Sequence, residues 1–364
     1  MDQVLAQPGS EAASARPSYV RNTWYAALWS TDLPHGKPLA RTLLDEPVVF
    51  FRKEDGSVVA LLDRCPHRFA PLSAGAVLQG DRLQCPYHGL EFGADGACVR
   101  NPHGKGTIPA AARVPTFPVQ EKHSLIWIWM GQNAPTPDTI PDYSCFDEAS
   151  PLHVTKRDHI VMAANYELIT DNLLDLSHTS FLHDGILGNQ DTVVADMVVS
   201  GEGDTVTVGR SSHNSAIPGL FRSLVPATML RVDKWNSIRW TPPGCMLIRT
   251  GVCRPGDQQE EGTGFYGVHL LTPETGRSTH YLFAAVRWNV LTEGDAVNAE
   301  IQERLSTLRR FAFVEQDAPV IEAQQRMLDR AGGRLKPVML SIDAGPVRYR
   351  RILDRLRRDE GSAA

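Results

Sequence analysis

The sequence lacks the long apolar run that a membrane-spanning helix needs. No stretch of its 364 residues approaches the roughly 20 consecutive apolar residues that cross a bilayer. The N-terminus has no basic segment followed by an apolar core, a pattern that argues against a secretory signal. The formal net charge of −5 is the opposite of the basic balance typical of nucleic-acid-binding proteins. We therefore expect a cytoplasmic protein that binds neither membranes nor nucleic acids.

Cysteine is also scarce, with six residues in the whole chain. Six cysteines in a chain of this length, without a secretory signal, do not indicate a disulfide framework. Two of them, Cys65 and Cys85, have histidines close by in the sequence. The others are expected to be free thiols that are buried or half-buried: Cys98, Cys145, Cys245 and Cys253.

The length and the distribution of turn residues indicate two domains. A chain of 364 residues exceeds one typical hydrophobic core. Residues 1–17 are rich in Ala, Ser, Gln and Pro, and we expect a disordered tail there. Residues 18–133 are punctuated by Gly and Pro between short strand-like runs, as in a small β domain. Several prolines then mark a linker, and residues 134–364 are predicted to form the second domain.

Local patterns place secondary structure in both domains. In the first, runs at 47–51, 58–62 and 125–129 are strand-like, and an Asp-Gly turn joins the first two. In the second, helices are predicted at 166–175, at 296–328 and at 347–357, and strand-like runs fill most of residues 191–290. The basic side of the last helix is predicted to be a solvated face.

The first candidate metal site combines cysteine and histidine in two short loops. Cys65-Pro66-His67 is followed after seventeen residues by Cys85-Pro86-Tyr87-His88. Such a donor set can hold a structural zinc ion, or a [2Fe–2S] cluster in which two Cys bind one iron and two His bind the other. Zinc fingers usually pair Cys with Cys and His with His. Here each loop supplies one of each, which favours the cluster because each loop then reaches both irons. Gly75 and Gly89 are predicted to relieve crowding near the loops.

A second candidate metal site is indicated by two histidines five residues apart. On an ideal helix the rings of His178 and His183 would diverge by about 140°. They converge only if the helix ends or bulges between them, for which Thr179-Ser180 is a plausible place. Asn172, Asp175 and His178 have the spacing that shares one helical stripe.

Two histidines and one carboxylate form the facial triad of oxygen-activating iron enzymes. We predict Asp317 as the carboxylate, with Glu315 and Glu322 as alternatives. A histidine pair of this kind also occurs among unrelated core or surface histidines. A cluster-binding domain upstream favours the iron site, because electrons from the cluster need a destination.

Taken together, these motifs resemble the oxygenase components of Rieske non-haem iron oxygenases, most closely the branch of dicamba and vanillate O-demethylases. The resemblance runs from about Tyr19 to Arg350 and rests on residues 64–73, 85–92, 101–104 and 171–178. It implies an α+β protein: a small all-β Rieske domain followed by a catalytic domain in which helices cover an antiparallel sheet.

The resemblance also implies roles for individual residues. The cluster ligands would be Cys65, His67, Cys85 and His88, and the Fe(II) ligands would be His178, His183 and Asp317. Asp175 matches the carboxylate that links the two metal sites by bonding an iron-ligand histidine and the cluster histidine of the next subunit. Asn172 matches a residue beside the iron. The two metals of one chain lie too far apart for fast electron transfer in such proteins, so a head-to-tail homotrimer is implied.

Three further positions concern the substrate. Asn236 and His269 match polar residues that hold an aromatic acid in this branch, and ordinary hydrogen-bonded sheet residues are the alternative interpretation. The family places Trp nine residues before the iron-binding Asp, where this sequence has Leu308. The loss of that ring surface argues for a different substrate.

The implied activity is that of a terminal oxygenase. It would use O2 and electrons from NAD(P)H, delivered by a separate ferredoxin or flavin reductase, to hydroxylate a methyl group of a small, acidic, methoxylated aromatic compound. O-demethylation with release of formaldehyde would follow. Ring-methyl or alkyl hydroxylation and N-demethylation are alternatives within the superfamily. Outside it, an electron carrier would need only the first motif, and a zinc-stabilised binding protein would be colourless.

Overall fold

The computed structural model describes residues 19–332 and 334–362, so the tail predicted for residues 1–17 lies outside the described residues. The strands are β1 Trp24–Trp29, β2 Leu39–Leu43, β3 Glu46–Arg52, β4 Val58–Leu62, β5 Ala76–Leu78, β6 Arg82–Gln84, β7 Glu91–Phe92, β8 Cys98–Arg100, β9 Thr116–Phe117, β10 Val119–Lys122, β11 Leu125–Trp129, β12 Asp158–Met162, β13 Asp196–Ser200, β14 Val206–Ala216, β15 Arg231–Thr241, β16 Cys245–Cys253, β17 Thr263–Thr275 and β18 Ser278–Trp288.

The α-helices are α1 Cys145–Glu148, α2 Tyr166–Leu174, α3 Asp295–Arg310, α4 Ala318–Ala331 and α5 Ala344–Ser362, and a π-helical segment, Phe311–Asp317, joins α3 to α4. Short 3-10 turns occur at Ser30–Asp32, Leu72–Ala74, Pro137–Thr139, Pro151–His153, His178–Ser180, Gln190–Thr192, Gln259–Glu261 and Ser341–Asp343. Within residues 19–332 and 334–362, no helix is both long and apolar enough to cross a membrane.

The N-terminal part is all β, as predicted. Its strands form three antiparallel sheets, ordered β1-β11-β10, β2-β3-β4-β9 and β5-β6-β7-β8. The predicted hairpin of β3 and β4 is confirmed, and Gly56 in its turn has a φ of +85°, which glycine adopts without steric cost. Phe51, Leu61 and Leu83 form a buried cluster beneath the two cysteine loops. This small core is the rigid base from which the loops project.

The C-terminal part is built on one antiparallel sheet of seven strands, ordered β12-β18-β17-β16-β15-β14-β13. Trp240 and Phe283 on one face share a buried cluster with Phe313 of the π-helical segment. Leu270 on the other face packs in a cluster with Trp127 of the N-terminal part. An antiparallel sheet packed against helices, following an all-β N-terminal part, confirms the predicted α+β architecture.

The predicted helix at 296–328 is continuous from Asp295 to Ala331, but its middle is π-helical. Pro319 gives a physical reason, because proline lacks an N–H and its ring clashes with the carbonyl four residues earlier in an α-helix. The wider turn is visible where the N–H of Ala318 donates to the carbonyl of Phe313, five residues back. Asp317 at the end of this segment is buried. The sequence pattern predicted the helix but not this change of pitch.

The last helix, α5, extends beyond the predicted 347–357. Its basic side is solvated as predicted at Arg351, Arg355 and Arg358, but Arg357 is largely covered and Arg350 also pairs with carboxylates. Arg350 donates to Glu167 at 3.1 Å and to Asp171 at 3.1 Å, both on α2. Arg357 pairs with Glu167 as well. The buried hydroxyl of Tyr349 also donates to Asp171, at 2.8 Å. Helix α5 therefore holds α2 in place, just ahead of the first candidate iron ligand.

Candidate metal centres

The two cysteine loops have matching conformations. The N–H of Cys65 and that of Cys85 each donate to the carbonyl five residues on, at 2.9 and 2.8 Å. Each cysteine carbonyl accepts from the N–H four residues on, from Phe69 at 2.9 Å and from Gly89 at 3.0 Å. Both closing residues have a positive φ, 61° and 69°. Gly89 supplies this conformation easily, and Phe69 adopts it against its steric preference.

A close approach of two chain segments supports the loops from below. A Cβ on Gly75 would lie 1.8 Å from the carbonyl oxygen of Gln84, the residue before Cys85. Only glycine fits at that position without moving the second loop. This contact confirms the crowding predicted at Gly75. At Gly89, glycine is favoured because the backbone there has a positive φ.

The loops present sulfur on the inside and imidazole on the outside. Cys65 and Cys85 are both buried, whereas His67 is exposed and His88 half-buried, with the two rings 4.5 Å apart between centroids. Burial raises the pKa of the Cys65 thiol to about 11, and the neighbouring Cys85 adds to the increase. Two adjacent buried thiols suit metal binding, because a bound metal ion displaces the proton of each thiol and holds the two thiolates. This donor set fits a [2Fe–2S] cluster whose histidine-bound iron faces the surface.

The second set of predicted ligands converges on one point. His178, His183 and Asp317 each offer one donor atom, and these atoms lie within 4.8 Å of one another. Asp317 Oδ1 is 3.1 Å from His183 Nε2 and 3.6 Å from His178 Nε2. Glu315 is exposed, and Glu322 accepts from the N–H of Ala163 at 3.0 Å. The structure therefore brings Asp317, and neither alternative glutamate, to the histidines.

The chain reaches this geometry by ending a helix before the first histidine, close to the predicted end at residue 175. Helix α2 stops at Leu174, Asp175 caps it, and His178 begins a 3-10 turn that runs through Ser180. The prediction that Asn172, Asp175 and His178 share one helical stripe is therefore wrong. The tighter turn after the helix end brings the two histidine rings to 5.1 Å between centroids.

Hydrogen bonds fix the tautomer of each histidine. Nδ1 of His178 bonds the main-chain carbonyl of Asp175, and Nδ1 of His183 bonds Gln316 Oε1 at 2.8 Å. Because both acceptors require a proton on Nδ1, the lone pair of each ring lies on Nε2, facing Asp317. His183 Nε2 is buried and has no hydrogen-bond partner. A carboxylate and two imidazole lone pairs around one point fit a divalent iron.

Charge and burial act together in this site. Burial lowers the pKa of His178, and the Asp317 carboxylate opposes that effect. Burial also disfavours the charged form of His183, but its contact with Asp317 outweighs this, and its pKa is raised. Asn172 Nδ2 donates to Asp317 Oδ1 at 3.1 Å, which holds the carboxylate in place beside the rings. The carboxylate thus has contacts with a histidine and an amide and is oriented toward the centre of the site.

Asp175 makes a different contact from the one the resemblance implies. Its carboxylate Oδ1 accepts from the N–H of Ser177 at 2.8 Å and from the hydroxyl of the same serine. Its main-chain carbonyl, rather than its carboxylate, bonds His178. The side chain is half-buried at the helix end.

The two polar residues predicted to hold the substrate lie on different strands of the large sheet, Asn236 on β15 and His269 on β17. His269 is fully buried, with Nδ1 2.5 Å from the Tyr281 hydroxyl and its ring 5.0 Å from that of Phe313. Asn236 stands opposite Thr250, which stands opposite Phe265 in β17. His269 is four residues beyond Phe265 on β17, which is about 13 Å along the strand.

Asn236 also has partners within the sheet. It hydrogen-bonds Thr250, and its amide oxygen, in the orientation that satisfies its neighbours, accepts from the buried Lys234 at 3.2 Å. These bonds favour the structural interpretation of Asn236. Leu308 packs at the edge of a buried cluster that contains Phe265 and Leu305.

Several residues of the site were not predicted. Gln316 orients His183, and Phe313 and Tyr281 enclose His269. The requirement for an acceptor behind each metal-binding histidine could have directed attention to Gln316, the neighbour of Asp317. The aromatic contacts depend on tertiary packing and have no signal in the sequence.

Two domain families match consecutive parts of the chain: the Rieske [2Fe-2S] domain at residues 23–118 and the vanillate O-demethylase oxygenase C-terminal domain at residues 162–359. The dicamba O-demethylase oxygenase component of Stenotrophomonas maltophilia is 40% identical, over 95% of this chain and 100% of that protein. The chloroacetanilide N-alkylformylase oxygenase component of Rhizorhabdus wittichii is 37% identical, over 94% and 97%. A crystal structure of dicamba monooxygenase with non-heme iron and dicamba has a TM-score of 0.79 at 36% identity, covering 95% of this chain and 100% of that one.

A Rieske domain followed by a helix-covered sheet with a histidine and carboxylate site defines the oxygenase component of a Rieske non-haem iron oxygenase. Within that class, the chain belongs to the family of the dicamba and vanillate O-demethylase oxygenase components. It is thus an oxidoreductase whose cofactors are a [2Fe–2S] cluster and a non-haem Fe(II).

Proposed function

We propose that this protein hydroxylates the methyl group of a small aromatic methyl ether and so demethylates it. The observation that carries the proposal is the buried set of His178, His183 and Asp317, with both histidine lone pairs facing the carboxylate. The 40% identity to a dicamba O-demethylase component over nearly the whole chain supports the choice of reaction.

In this proposal the cluster is held by Cys65, His67, Cys85 and His88, and the Fe(II) by His178, His183 and Asp317. When bound, the two centres supply electron transfer and oxygen activation. Asn172 holds the Asp317 carboxylate through a 3.1 Å hydrogen bond, and Gln316 holds His183 through one of 2.8 Å. These contacts orient the ligands before the metal arrives, which favours one coordination geometry.

The overall reaction balances with external electrons. One O2, two electrons and two protons are consumed for each methyl ether. One oxygen atom is inserted into a methyl C–H bond and the other leaves as water. The resulting hemiacetal loses its C–O bond to give a phenol and formaldehyde. The electrons come from NAD(P)H through a separate ferredoxin or flavin reductase, in keeping with relatives that are components of larger systems. A cytoplasmic location, where NAD(P)H is available, belongs to the same proposal.

N-dealkylation is the second candidate function. Hydroxylation of a carbon attached to nitrogen gives a carbinolamine that breaks down in the same way. The 37% identical N-alkylformylase component favours keeping this reaction in the assay. Hydroxylation of a ring methyl group would use the same geometry but would release no aldehyde.

We also propose that the protein acts as a head-to-tail homotrimer, with domains at residues 18–133 and 134–364. Three aromatic side chains beside the two centres are largely exposed: Phe69 at 72%, Tyr87 at 65% and Phe181 at 70%. Exposed aromatic rings of this kind are typical of surfaces that an assembly covers. In the trimer, the carboxylate of Asp175 would accept from the cluster histidine of the neighbouring subunit.

The test combines metal content with product analysis. Anaerobically purified protein should contain about three irons per chain, two in the cluster and one mononuclear. With a reductase, NADH and O2, methoxybenzoates should yield formaldehyde and phenol in equal amounts. Asp317→Ala should lose the mononuclear iron and the activity but keep the cluster absorption, whereas Glu315→Ala should change neither. Full turnover by Asp317→Ala would contradict the assignment.

A further inference from the structure

A cavity of about 580 Å³ lies where the N-terminal part meets the catalytic part of the chain. Its walls come from Thr31 of the N-terminal part, from residues 146–157, which connect the two parts, and from helix α3. Ser306, on the α3 wall, is eleven helical residues before Asp317, about 16 Å along the axis, so the cavity is separate from the candidate iron site. The volume is typical of small-molecule sites, which are frequent where domains meet.

Hydrogen bonds between the connecting segment 146–157 and α3 hold the walls of this cavity in place. Gln302 Nε2 donates to the carbonyl of Pro151 at 2.9 Å and also to that of Val154. The N–H of Lys156 donates to Ser306 Oγ at 3.0 Å, and this hydroxyl donates in turn to the carbonyl of Gln302 at 2.7 Å. The cavity is therefore formed before any ligand arrives, which lowers the entropic cost of binding.

Arg157 forms part of the wall and has no acidic partner among the residues that the structure describes. Its Nη2 donates to Ser124 Oγ at 3.3 Å, and its Nε is buried without a hydrogen-bond partner. The central carbon of the guanidinium lies 5.6 Å from the ring centroid of Phe146, another wall residue. Burial lowers the pKa of Arg157, as expected for a cation that is partly removed from water. The other N–H donors of the two terminal nitrogens are left for a ligand.

The charges around the cavity are positive in sum. Lys156 and Glu303 are both exposed, and Lys156 Nζ lies 3.9 Å from the Glu303 carboxylate. An exposed pair at this distance contributes little to stability, so the ammonium group can turn toward another anion. Arg157 and Lys156 together outweigh the single carboxylate of the lining by one charge. This excess attracts an anion and disfavours a cationic ligand.

The apolar part of the lining indicates what the anion carries. Phe146 and Val154 are buried wall residues, and the ring of Phe146 packs edge-on against Trp29 at 5.6 Å between centroids. A hydrocarbon group gains free energy against such a surface, because both leave water. A planar carboxylate matches the parallel N–H donors of a guanidinium. An inorganic phosphate would satisfy the cations but would put its own polar oxygens against the apolar wall, which is unfavourable.

We propose that this cavity binds a small organic carboxylate, with the acid group on Arg157 and Lys156 and the hydrocarbon part against Phe146 and Val154. The ligand would contact the N-terminal part, the connecting segment and α3 at once, and binding would therefore stabilise the attachment of the two parts to each other. The site lies outside the proposed reaction, so its existence does not depend on whether the protein demethylates ethers.

The experiment titrates anaerobic holoprotein calorimetrically with butyrate, succinate, inorganic phosphate and the neutral butyramide. The two carboxylates should bind, and butyramide should bind about 10-fold more weakly than butyrate because it lacks the charge. Arg157→Gln should weaken carboxylate binding about 10- to 100-fold, since a charge-assisted pair of hydrogen bonds is lost. Arg304→Gln is the matched control, because Arg304 is an exposed cation on α3 that is not part of the lining, and it should bind like the wild type.

A second variant keeps the test valid if Arg157→Gln folds poorly. Glu303 is exposed, so Glu303→Gln should fold normally, and it removes a negative charge from the wall and releases Lys156. Carboxylate binding should become about 2- to 5-fold tighter in this variant, as expected for one exposed charge. In thermal unfolding, saturating butyrate should raise the transition temperature of the wild type but not that of Arg157→Gln.

Removal of the mononuclear iron by mild chelation should leave carboxylate binding unchanged. The proposal is overturned if the carboxylates give no heat of binding, if they bind equally well to Arg157→Gln, or if Glu303→Gln weakens them. Binding that disappears with the iron would also overturn it, because the ligand would then be at the metal. Binding of phosphate but of neither carboxylate would show that the proposed ligand class is wrong.

Discussion

Replacing Gln316 with leucine should weaken Fe(II) binding without disturbing the cluster loops. Gln316 Oε1 is the acceptor, at 2.8 Å, for Nδ1 of His183, whose side chain is completely buried. Leucine fills a similar volume but accepts no hydrogen bond. The variant therefore either leaves a buried N–H unpaired or lets the proton move to Nε2, where it blocks the metal-binding lone pair.

The expected size of the effect follows from the lost hydrogen bond. An unpaired buried donor costs about 1–3 kcal/mol. Loss of an outer partner of a metal-bound histidine typically weakens metal binding about 10- to 100-fold. Gln316→Glu keeps an acceptor at the same position and should retain the affinity. Glu315→Leu, an exposed position on the same turn, is the matched control.

The assay removes the mononuclear iron by mild anaerobic chelation and titrates Fe(II) back in competition with a chromophoric chelator. Visible absorption of the cluster, monitored in the same sample, shows that the N-terminal part is intact. Wild-type affinity in Gln316→Leu would refute the argument that this hydrogen bond fixes the histidine tautomer. Equal weakening in Glu315→Leu would point instead to a general effect on the helix.

Three further predictions concern other parts of the molecule. Gly75→Ala should reduce the cluster content of purified protein, measured by iron and sulfide analysis, because its Cβ would lie 1.8 Å from the Gln84 carbonyl. Asp175→Ala should keep both metals but lose coupled turnover, and normal turnover would contradict the bridging role. Burial lowers the pKa of Lys234 to about 8 from 10.5, so its charge destabilises the fold below pH 8. Lys234→Met should raise the free energy of unfolding at pH 7 by about 1–3 kcal/mol in denaturant titrations, reduced by the loss of the hydrogen bonds to Leu187 and Asn236. This gain should shrink as the pH rises from 8 to 10.5.

The cluster loops could be predicted from sequence because all their donors lie in one short stretch, residues 65–88. The alternation of Cys and His within each loop is a local property, and the loops need only a turn to present it. The third iron ligand is different, since Asp317 is far along the chain from His178. Resemblance to known oxygenases pointed to it, whereas spacing left Glu315 and Glu322 open as alternatives.

Errors arose where a local pattern depended on tertiary context. The spacing of Asn172, Asp175 and His178 fits one helical stripe, but Asp175 caps the helix and bonds the next serine instead. The basic side of α5 is predicted to be solvated, but Arg357 is largely covered where it pairs with Glu167 of α2. Helix propensity and the spacing of residues along one helix cannot show which other helix or strand will pack beside a residue.

Strand register is a second property that sequence patterns do not supply. Asn236 and His269 are both polar residues in predicted strands, and nothing in their spacing shows whether their side chains meet. The observed pairing sets Asn236 opposite Thr250, four residues short of the position that would align with His269. If one strand pairs with its neighbour two residues further along, each side chain stays on the same face of the sheet but has different neighbours.

The π-helical segment links the candidate iron site to the aromatic side chains packed around His269. In seven residues, Phe311–Asp317, it supplies an aromatic contact to Arg309 and His269, the acceptor for His183, and the Asp317 carboxylate. A regular α-helix turns about 100° per residue, so adding one residue to a turn changes which side chains face the sheet. Both Gln316 and Asp317 reach the histidines although they are adjacent in sequence. The wide turn therefore lets one short segment supply both the residues that contact the candidate iron ligands and an aromatic side chain that packs on His269.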